Sequence, residues 1–152
     1  MSRYEWSCLN HLQVGKYAEY FVKMEFTMYG WQVYSTEVDD RGIDFVVRDG
    51  NGGFFEIQVK SVRQANYIFI AKDKFLPKAS LIAAIVLFTE GEAPQLYLIP
   101  SMRWQSEASE LLVSRDYKDK KSKPEWGINF STKNQKLLDA FLFDQMVATL
   151  GK

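Results

Sequence analysis

The sequence predicts an α/β fold in which a mixed β-sheet is flanked by helices. Three stretches indicate this class. Residues 9–29 carry apolar side chains at helical spacing, and residues 42–61 form two alternating segments that suit an antiparallel hairpin. Residues 81–89 are apolar on both faces, which is typical of a central strand covered on both sides. The chain has 152 residues, of which 47% are hydrophobic, so we expect a single domain over residues 1–152.

The first predicted element is a long amphipathic helix over residues 9–29. Its apolar residues recur every three or four positions, and lysine and glutamate residues occupy another side. Gly30 ends the helix because glycine readily adopts the left-handed conformation of a helix C-cap. Residues 31–36 are rich in strand-forming side chains and follow as the first strand.

The central hairpin has arms at residues 42–48 and 54–61, joined by five turn-forming residues. In each arm apolar side chains alternate with polar ones, so one face can join a core while the other stays polar. A turn centred near Asn51 sets the register of the two arms. This register places Asp44 opposite Gln58.

The rest of the chain is predicted to contain short strands and helices. Strands are expected at residues 67–71, 81–89, 95–99, 111–114 and 127–130, the last of them at a sheet edge. A short helical turn is expected within residues 72–80, where Pro77 limits its length, and a brief helix follows Pro100. Ser131 or Thr132 caps a final helix with an apolar stripe.

Composition excludes several classes of protein. Nineteen basic residues balance nineteen acidic ones, so any contact with nucleic acid must come from local charge. A single histidine, His11, and a single cysteine, Cys8, cannot build a histidine-rich zinc site or an internal disulfide. We expect His11 on the surface or partly buried at the helix start, and Cys8 as an inert, partly buried thiol. No signal segment or membrane-spanning run is recognisable, which predicts a cytoplasmic protein without a membrane role.

A patch of polar side chains on the hairpin is the strongest candidate for chemistry. Glu56, Gln58 and Lys60 share one face of the second arm, and Asp44 joins them from the first. Magnesium prefers oxygen ligands, so a carboxylate, an amide oxygen and a strand carbonyl could hold it against a substrate phosphate. A lysine beside the metal can position the attacking water and offset charge in the transition state.

The same residues also have a purely structural interpretation. Asp44 and Lys60 could form an exposed cross-strand ion pair that contributes less than about 1 kcal/mol. Glu19 and Lys23 have the spacing of a favourable ion pair within a helix. These residues do not distinguish the two interpretations when each is taken singly.

Taken together, the residues resemble a family signature. Asp44, the fourteen-residue step to Gln58, and Gln58-Val59-Lys60 resemble the motif of the PD-(D/E)XK nuclease superfamily, which includes archaeal Holliday junction resolvases. The segment Gly15-Lys16-Tyr17-Ala18-Glu19 is similar to the first-helix segment of the resolvase-like branch. The resemblance covers residues 15–88. It departs from the motif at Ile43, where proline is usual, and at Gln58, where an acid is usual and a homing-endonuclease branch has glutamine.

The resemblance implies a restriction-endonuclease-like core of order αβββαβ, with a C-terminal extension and a final helix. It also implies an endonuclease that uses Mg²⁺ (or Mn²⁺) to hydrolyse DNA phosphodiester bonds, with branched DNA as a candidate substrate, and that works as a dimer or tetramer. Two alternatives remain open: a nuclease-fold module that binds DNA or a protein partner without cleaving, and RNA as the substrate.

The resemblance assigns roles to individual residues. Asp44 and Gln58 bind the metal, Lys60 assists the nucleophile, Glu19 acts directly or through a water, and Glu56 can supply additional charge. Candidates for contacts with the nucleic-acid backbone are Arg41, Arg48, Ser61, Arg63 and the lysine-rich loop at residues 116–124.

Overall fold

The computed structural model describes residues 2–38, 42–64, 67–106, 109–118 and 121–151. The helices in these ranges are α1 (His11–Met28), α2 (Arg103–Ser106), α3 (Gln135–Asp139) and α4 (Phe143–Leu150). The strands are β1 (Gln32–Ser35), β2 (Phe45–Arg48), β3 (Phe54–Arg63), β4 (Tyr67–Ala71), β5 (Leu81–Phe88), β6 (Gln95–Pro100), β7 (Leu112–Arg115) and β8 (Glu125–Asn129). Short 3₁₀ turns occur at Trp6–Cys8, Lys72–Lys74 and Thr132–Asn134.

Five of these strands form a mixed sheet in the order β1-β2-β3-β5-β6. β3 and β5 run parallel and pair from Glu56 opposite Leu81 to Arg63 opposite Phe88. The neighbouring pairs β1–β2, β2–β3 and β5–β6 are antiparallel. The predicted mixed sheet is therefore confirmed, with β5 buried along most of its length, as its continuous apolar sequence indicated.

Helix α1 covers one face of this large sheet. A capping box fixes its start: the side chain of Asn10 accepts a hydrogen bond from the Gln13 amide, and Gln13 Oε1 accepts one from the Asn10 amide, each at 2.9 Å. Gly30 follows the helix with φ +83°, the conformation that favours glycine. The buried residues of α1 are Val14, Ala18, Val22 and Phe26, which pack against residues of the sheet that include Phe45, Val47 and Ile57.

His11 and Cys8, near the N-terminus, are both exposed. His11 is the first residue of α1 and is exposed, in agreement with a surface position at the helix start. Cys8 is also exposed, so the prediction of a partly buried thiol is wrong. In the same short turn it is Trp6 that is buried, and its ring packs edge-on against Phe88.

A second, three-stranded antiparallel sheet of order β4-β8-β7 faces the opposite side of the large sheet. The two sheets share a core that includes Ile70, Trp126 and Ile128 from the small sheet and Ala83 and Ile85 from β5. The sequence predicted an edge strand at residues 127–130. That position is wrong, because β8 pairs with β4 on one side and β7 on the other and is therefore the central strand of the small sheet.

Two predicted helices are shorter than expected. The helix within residues 72–80 is a single 3₁₀ turn, Lys72–Lys74, because Phe75 then turns into the core, where it is fully buried. The predicted final helix is divided into α3 and α4. Its interruption has a clear cause: Phe141 O accepts a hydrogen bond from Leu98 N at 2.9 Å, and Leu142 forms a β-bridge with Tyr97, which joins the segment to β6.

The predicted α/β class, with a mixed sheet flanked by helices, is thus observed. The structure departs from the expected order αβββαβ at its second helix, because β4 and a 3₁₀ turn make the crossover between β3 and β5. Ser131 was one of two predicted caps, and its side chain accepts a hydrogen bond from the Asn134 amide. Within the described ranges, no helix combines the length and the apolar character needed to cross a membrane.

Candidate active site

Asp44 lies where β2 begins and β3 passes beside it. The observed register pairs Phe45 with Ile57, and its continuation by one residue places Asp44 opposite Gln58, as the sequence predicted. The Asp44 amide donates a hydrogen bond to Ile57 O at 2.9 Å. Asp44 Oδ2 accepts a hydrogen bond from the Val59 amide at 2.6 Å. These two contacts fix the carboxylate beside the segment of β3 that contains Gln58.

Gln58 is almost fully buried, with 7% of its surface exposed. Its Oε1 atom is buried and accepts no hydrogen bond from any described residue. A buried polar atom without a hydrogen-bond partner lowers folding stability by about 1–3 kcal/mol, so its presence indicates a role other than stabilising the fold. Gly42 leaves room next to this oxygen: it has φ +80°, and a Cβ atom at Gly42 would lie 3.7 Å from Gln58 Oε1.

Lys60 lies on the same face of β3 as Gln58. In the parallel pair with β5, Lys60 lies next to Ile85 and Gln58 lies next to Ala83. Both apolar residues belong to the core that the large sheet shares with the small sheet. Lys60 is half-buried, and its ammonium makes no hydrogen bond or ion pair with any described residue. No described side chain therefore neutralises the charge of Lys60, which can interact with a bound ligand.

Glu56 shares this face but its charge is already balanced. Lys78 Nζ lies 2.6 Å from Glu56 Oε2, with the carboxylate side chain 27% exposed. The Glu56 amide also donates to Ser80 O at 2.7 Å, which joins the start of β3 to the segment before β5. The suggestion that Glu56 supplies additional charge to a metal stays a prediction, and it requires the ion pair with Lys78 to open.

Glu19 lies on α1, which covers the other face of the large sheet. Its carboxylate forms ion pairs with Lys16 at 3.4 Å and with Lys23 at 3.3 Å. Lys23 Nζ also donates to Ser35 Oγ at 3.1 Å and lies 5.4 Å from the centre of the Phe45 ring. The helix pair expected on structural grounds is therefore present, and the role of Glu19 as a third metal ligand stays a prediction.

The candidate contacts with the nucleic-acid backbone are dispersed over the structure. Arg41 lies outside the described residues, and the lysine-rich loop is described only in part. Arg48 is the last residue of β2, at the opposite end of that strand from Asp44, and donates to Gln32 Oε1 at 3.2 Å. Arg63 Nη2 donates to the backbone carbonyl of Leu9 at 2.6 Å and so braces the entry to α1. Half-buried Ser61 pairs with Val86 on the face covered by α1.

The residues present fit a cation with oxygen ligands, but only a sparsely charged site. Among the described residues, no group of three histidine, cysteine, aspartate or glutamate side chains comes together in a way that could hold a metal ion. The oxygen donors that the register places opposite each other are the Asp44 carboxylate and the Gln58 amide, whose Oε1 accepts no hydrogen bond from a described residue. Mg²⁺ keeps several of its waters and needs few protein ligands, so this donor set suits it better than it suits zinc.

One neighbour of the site was not recognised from the sequence. A Cβ atom at Gly42 would lie 3.3 Å from Lys74 O and 3.5 Å from Lys74 Cβ, so the 3₁₀ turn Lys72–Lys74 borders the same space as Gln58. The sequence offers no local signal for this proximity, because it depends on how the crossover packs against the small sheet.

Comparison with solved structures agrees with the predicted fold class, that of restriction-endonuclease-like nucleases. The structure is similar to Hjc, a Holliday junction resolvase from the archaeal hyperthermophile Archaeoglobus fulgidus, with a TM-score of 0.53 and 14% sequence identity over 91% of this chain and 96% of that chain. A bacterial homing endonuclease, I-Ssp6803I, gives a TM-score of 0.47 and 18% identity over 75% of this chain and 84% of that chain. No family model and no curated protein sequence matches this chain. At these identities the likeness to Hjc establishes the fold, which the sequence predicted.

Proposed function

We propose that the protein is a metal-dependent endonuclease that hydrolyses phosphodiester bonds of DNA. The observation that carries this proposal is the buried Oε1 of Gln58, which lies opposite Asp44 with Lys60 on the same face. Neither this oxygen nor the Lys60 ammonium has a partner among the described residues. A fold shared with a Holliday junction resolvase supports it. Branched DNA is accordingly the first candidate substrate, and cutting two strands favours a homodimer or tetramer.

The chain's own residues have separate tasks in this proposal. Asp44 and Gln58 hold Mg²⁺ (or Mn²⁺), which when bound supplies Lewis-acid activation of water and balances phosphate charge. The hydrogen bond from Val59 keeps the Asp44 carboxylate in one orientation. Lys60 orients the attacking water and stabilises the negative charge that grows on the phosphate oxygens as the bond to the leaving oxygen breaks.

The second candidate is a module that binds DNA or a protein partner and does not cleave. The neutral side chain at Gln58 favours it, because a glutamine holds a divalent cation less strongly than a carboxylate. The pairing of Glu56 with Lys78 removes one further source of negative charge from the patch. RNA is the alternative substrate class, and it is included in the cleavage assay.

The test is a cleavage assay on duplex, four-way-junction and single-stranded DNA and on RNA, with Mg²⁺ or with a chelator. We expect Mg²⁺-dependent cleavage of at least one DNA substrate, and a loss of at least about a hundredfold in rate for Lys60→Met and for Asp44→Asn. Lys136→Met is the matched control, because Lys136 is an exposed lysine on α3. Cleavage that survives both site substitutions refutes the mechanism. DNA binding without cleavage in any form favours the second candidate.

A further inference from the structure

A cavity lies beside the candidate active site, between the start of β3 and the crossover that follows β4. The side chains that line it include Ile43, Glu56, Asp73, Lys74, Leu76 and Lys78. Ile43 directly precedes Asp44 in the chain, and Glu56 is two residues from Gln58 on the same face of β3. The cavity is therefore lined by a chain neighbour of Asp44 and by a residue on the same face of β3 as Gln58 and Lys60.

The turn that carries Lys74 is held firmly from both ends. Lys72 N donates to Pro124 O at 3.0 Å, and Lys72 Nζ lies 4.2 Å from the centre of the Trp126 ring. Phe75, which follows the turn, is fully buried with its ring edge-on to Trp104. Trp126 Nε1 donates to Phe75 O at 2.9 Å. The backbone of Lys74 is thus fixed by the core of the small sheet, and only its side chain is free to move.

Among the described residues around the cavity, one lysine is left without an ion pair. Lys78 is paired with Glu56, and Asp73 is paired with Lys123 at 3.5 Å. Lys72 is paired with Asp116 at 2.9 Å. Lys74 is exposed, and no described residue forms a hydrogen bond or an ion pair with its ammonium. An unpaired lysine on a rigid turn is the kind of group that binds a phosphate as a point charge.

Lys74 also approaches Gln58 from a different direction than Lys60 does. Lys74 Cβ and Gln58 Oε1 lie within 3.5 Å and 3.7 Å of the same point above Gly42. Lys60 extends from β3 itself, whereas Lys74 extends from the crossover turn. The two lysines therefore start from different sides of the space next to the amide oxygen, the one from β3 and the other from the crossover turn.

We propose that Lys74 is a second phosphate-binding residue of this site, which contacts the backbone phosphate next to the one that Lys60 serves. This inference rests on the proposed function, since it takes DNA as the occupant of the cavity. It adds a binding residue from outside the Asp44-Gln58-Lys60 motif, and it predicts that Lys74 contributes to substrate affinity and leaves the chemical step unchanged.

The test compares the wild-type protein with Lys74→Gln, Lys74→Arg and Lys136→Gln. Binding of labelled junction and duplex DNA is measured by fluorescence anisotropy in chelator over a range of salt concentrations, and cleavage kinetics are measured with Mg²⁺. Loss of one phosphate contact should lower the magnitude of the salt slope by about 1 and weaken binding about five- to tenfold near 0.1 M salt. KM should rise by a similar factor with kcat unchanged, whereas Lys74→Arg and Lys136→Gln should behave as the wild type.

The outcomes separate this inference from the proposed function. If the wild type cleaves DNA and Lys74→Gln keeps its salt slope and KM, the inference is wrong and the endonuclease proposal stands. If the wild type binds DNA but cleaves nothing, the endonuclease proposal fails, and the salt slope of Lys74→Gln alone decides whether the phosphate contact exists. A wild type that does not bind DNA overturns both. Unfolding in urea should be unchanged in Lys74→Gln, because the side chain is exposed.

Discussion

Substitution of Gln58 by methionine separates stability from metal binding at the centre of the candidate site. Methionine has nearly the length and volume of glutamine but no polar atoms, so it preserves packing at a position that is 7% exposed. The wild type leaves Gln58 Oε1 buried without a hydrogen-bond donor among the described residues. Removing that atom relieves a penalty of about 1–3 kcal/mol. We therefore expect Gln58→Met to raise the free energy of unfolding by about 1–2 kcal/mol in chelator.

Added Mg²⁺ should reverse this order. A cation that binds only the folded protein stabilises it by about 2.7 kcal/mol at a hundred times its dissociation constant. The wild type should gain this increment, and Gln58→Met should lose most of it together with cleavage. The measurement is urea unfolding, followed by far-UV circular dichroism, in chelator and along an Mg²⁺ titration.

Gln105→Met is the control for this experiment. Gln105 is an exposed glutamine on α2, so its substitution should leave both the stability and the response to Mg²⁺ unchanged. A Gln58→Met protein that is less stable than the wild type in chelator would show that Gln58 makes a stabilising contact, and the reasoning from the unpartnered oxygen would fail. An equal gain from Mg²⁺ in both proteins would place the cation elsewhere.

Three further predictions concern Asp44, Tyr67 and the binding of Mg²⁺. Asp44→Ala should lower the free energy of unfolding by about 1–3 kcal/mol, because it leaves the Val59 amide without its acceptor. Asp44→Asn should lower it by about half as much, since asparagine retains an oxygen acceptor. Urea unfolding of both variants measures these changes. Burial, and then the hydrogen bond to Glu125, raise the pKa of Tyr67 above its ordinary value of 10.0, so this group contributes stability that is complete below pH 10 and is lost as the pH rises further. Tyr67→Phe should accordingly show a shallower loss of stability above pH 10, measured by urea unfolding against pH. Mg²⁺ should bind about five- to a hundredfold more tightly in the presence of an uncleavable DNA than without it, measured by titration calorimetry.

The position of Asp44 opposite Gln58 was predictable because it depends on local sequence. The two arms of the hairpin alternate cleanly, and the turn between them is short, so few registers satisfy both the apolar face and the turn. Helix α1 was predictable for a similar reason, since its buried residues recur within a single continuous segment. These local features were enough to predict that an acid, an amide and a lysine share one face of the hairpin.

The surroundings of the site were not predictable in this way, because they depend on long-range packing. The crossover residues Lys72–Lys74 follow a helical pattern no better than an extended one, and it is Trp126, more than fifty residues later, that fixes the turn through Phe75. The sequence pattern predicted β8 as an edge strand with one neighbour, because only β7 is close to it in the chain, whereas β4 lies more than fifty residues earlier. Lys74 was missed for this reason, since its proximity to Gln58 exists only after the small sheet has formed.

The charge balance around Gln58 bears on its proposed role as a neutral metal ligand. A glutamate at this buried position would have to lose its hydration in the absence of metal, which is costly unless a cation compensates it. The charged side chains on this face of β3 and on the crossover include one neutralised ion pair, Glu56 with Lys78, and two ammonium groups that pair with no described residue, those of Lys60 and Lys74. These two ammonium groups outnumber the one remaining carboxylate, that of Asp44, so the patch as a whole attracts a phosphate. In the proposed function a bound phosphate adds its negative oxygens to those of the site and supplies the charge that glutamine lacks, so metal and DNA are expected to stabilise each other's binding.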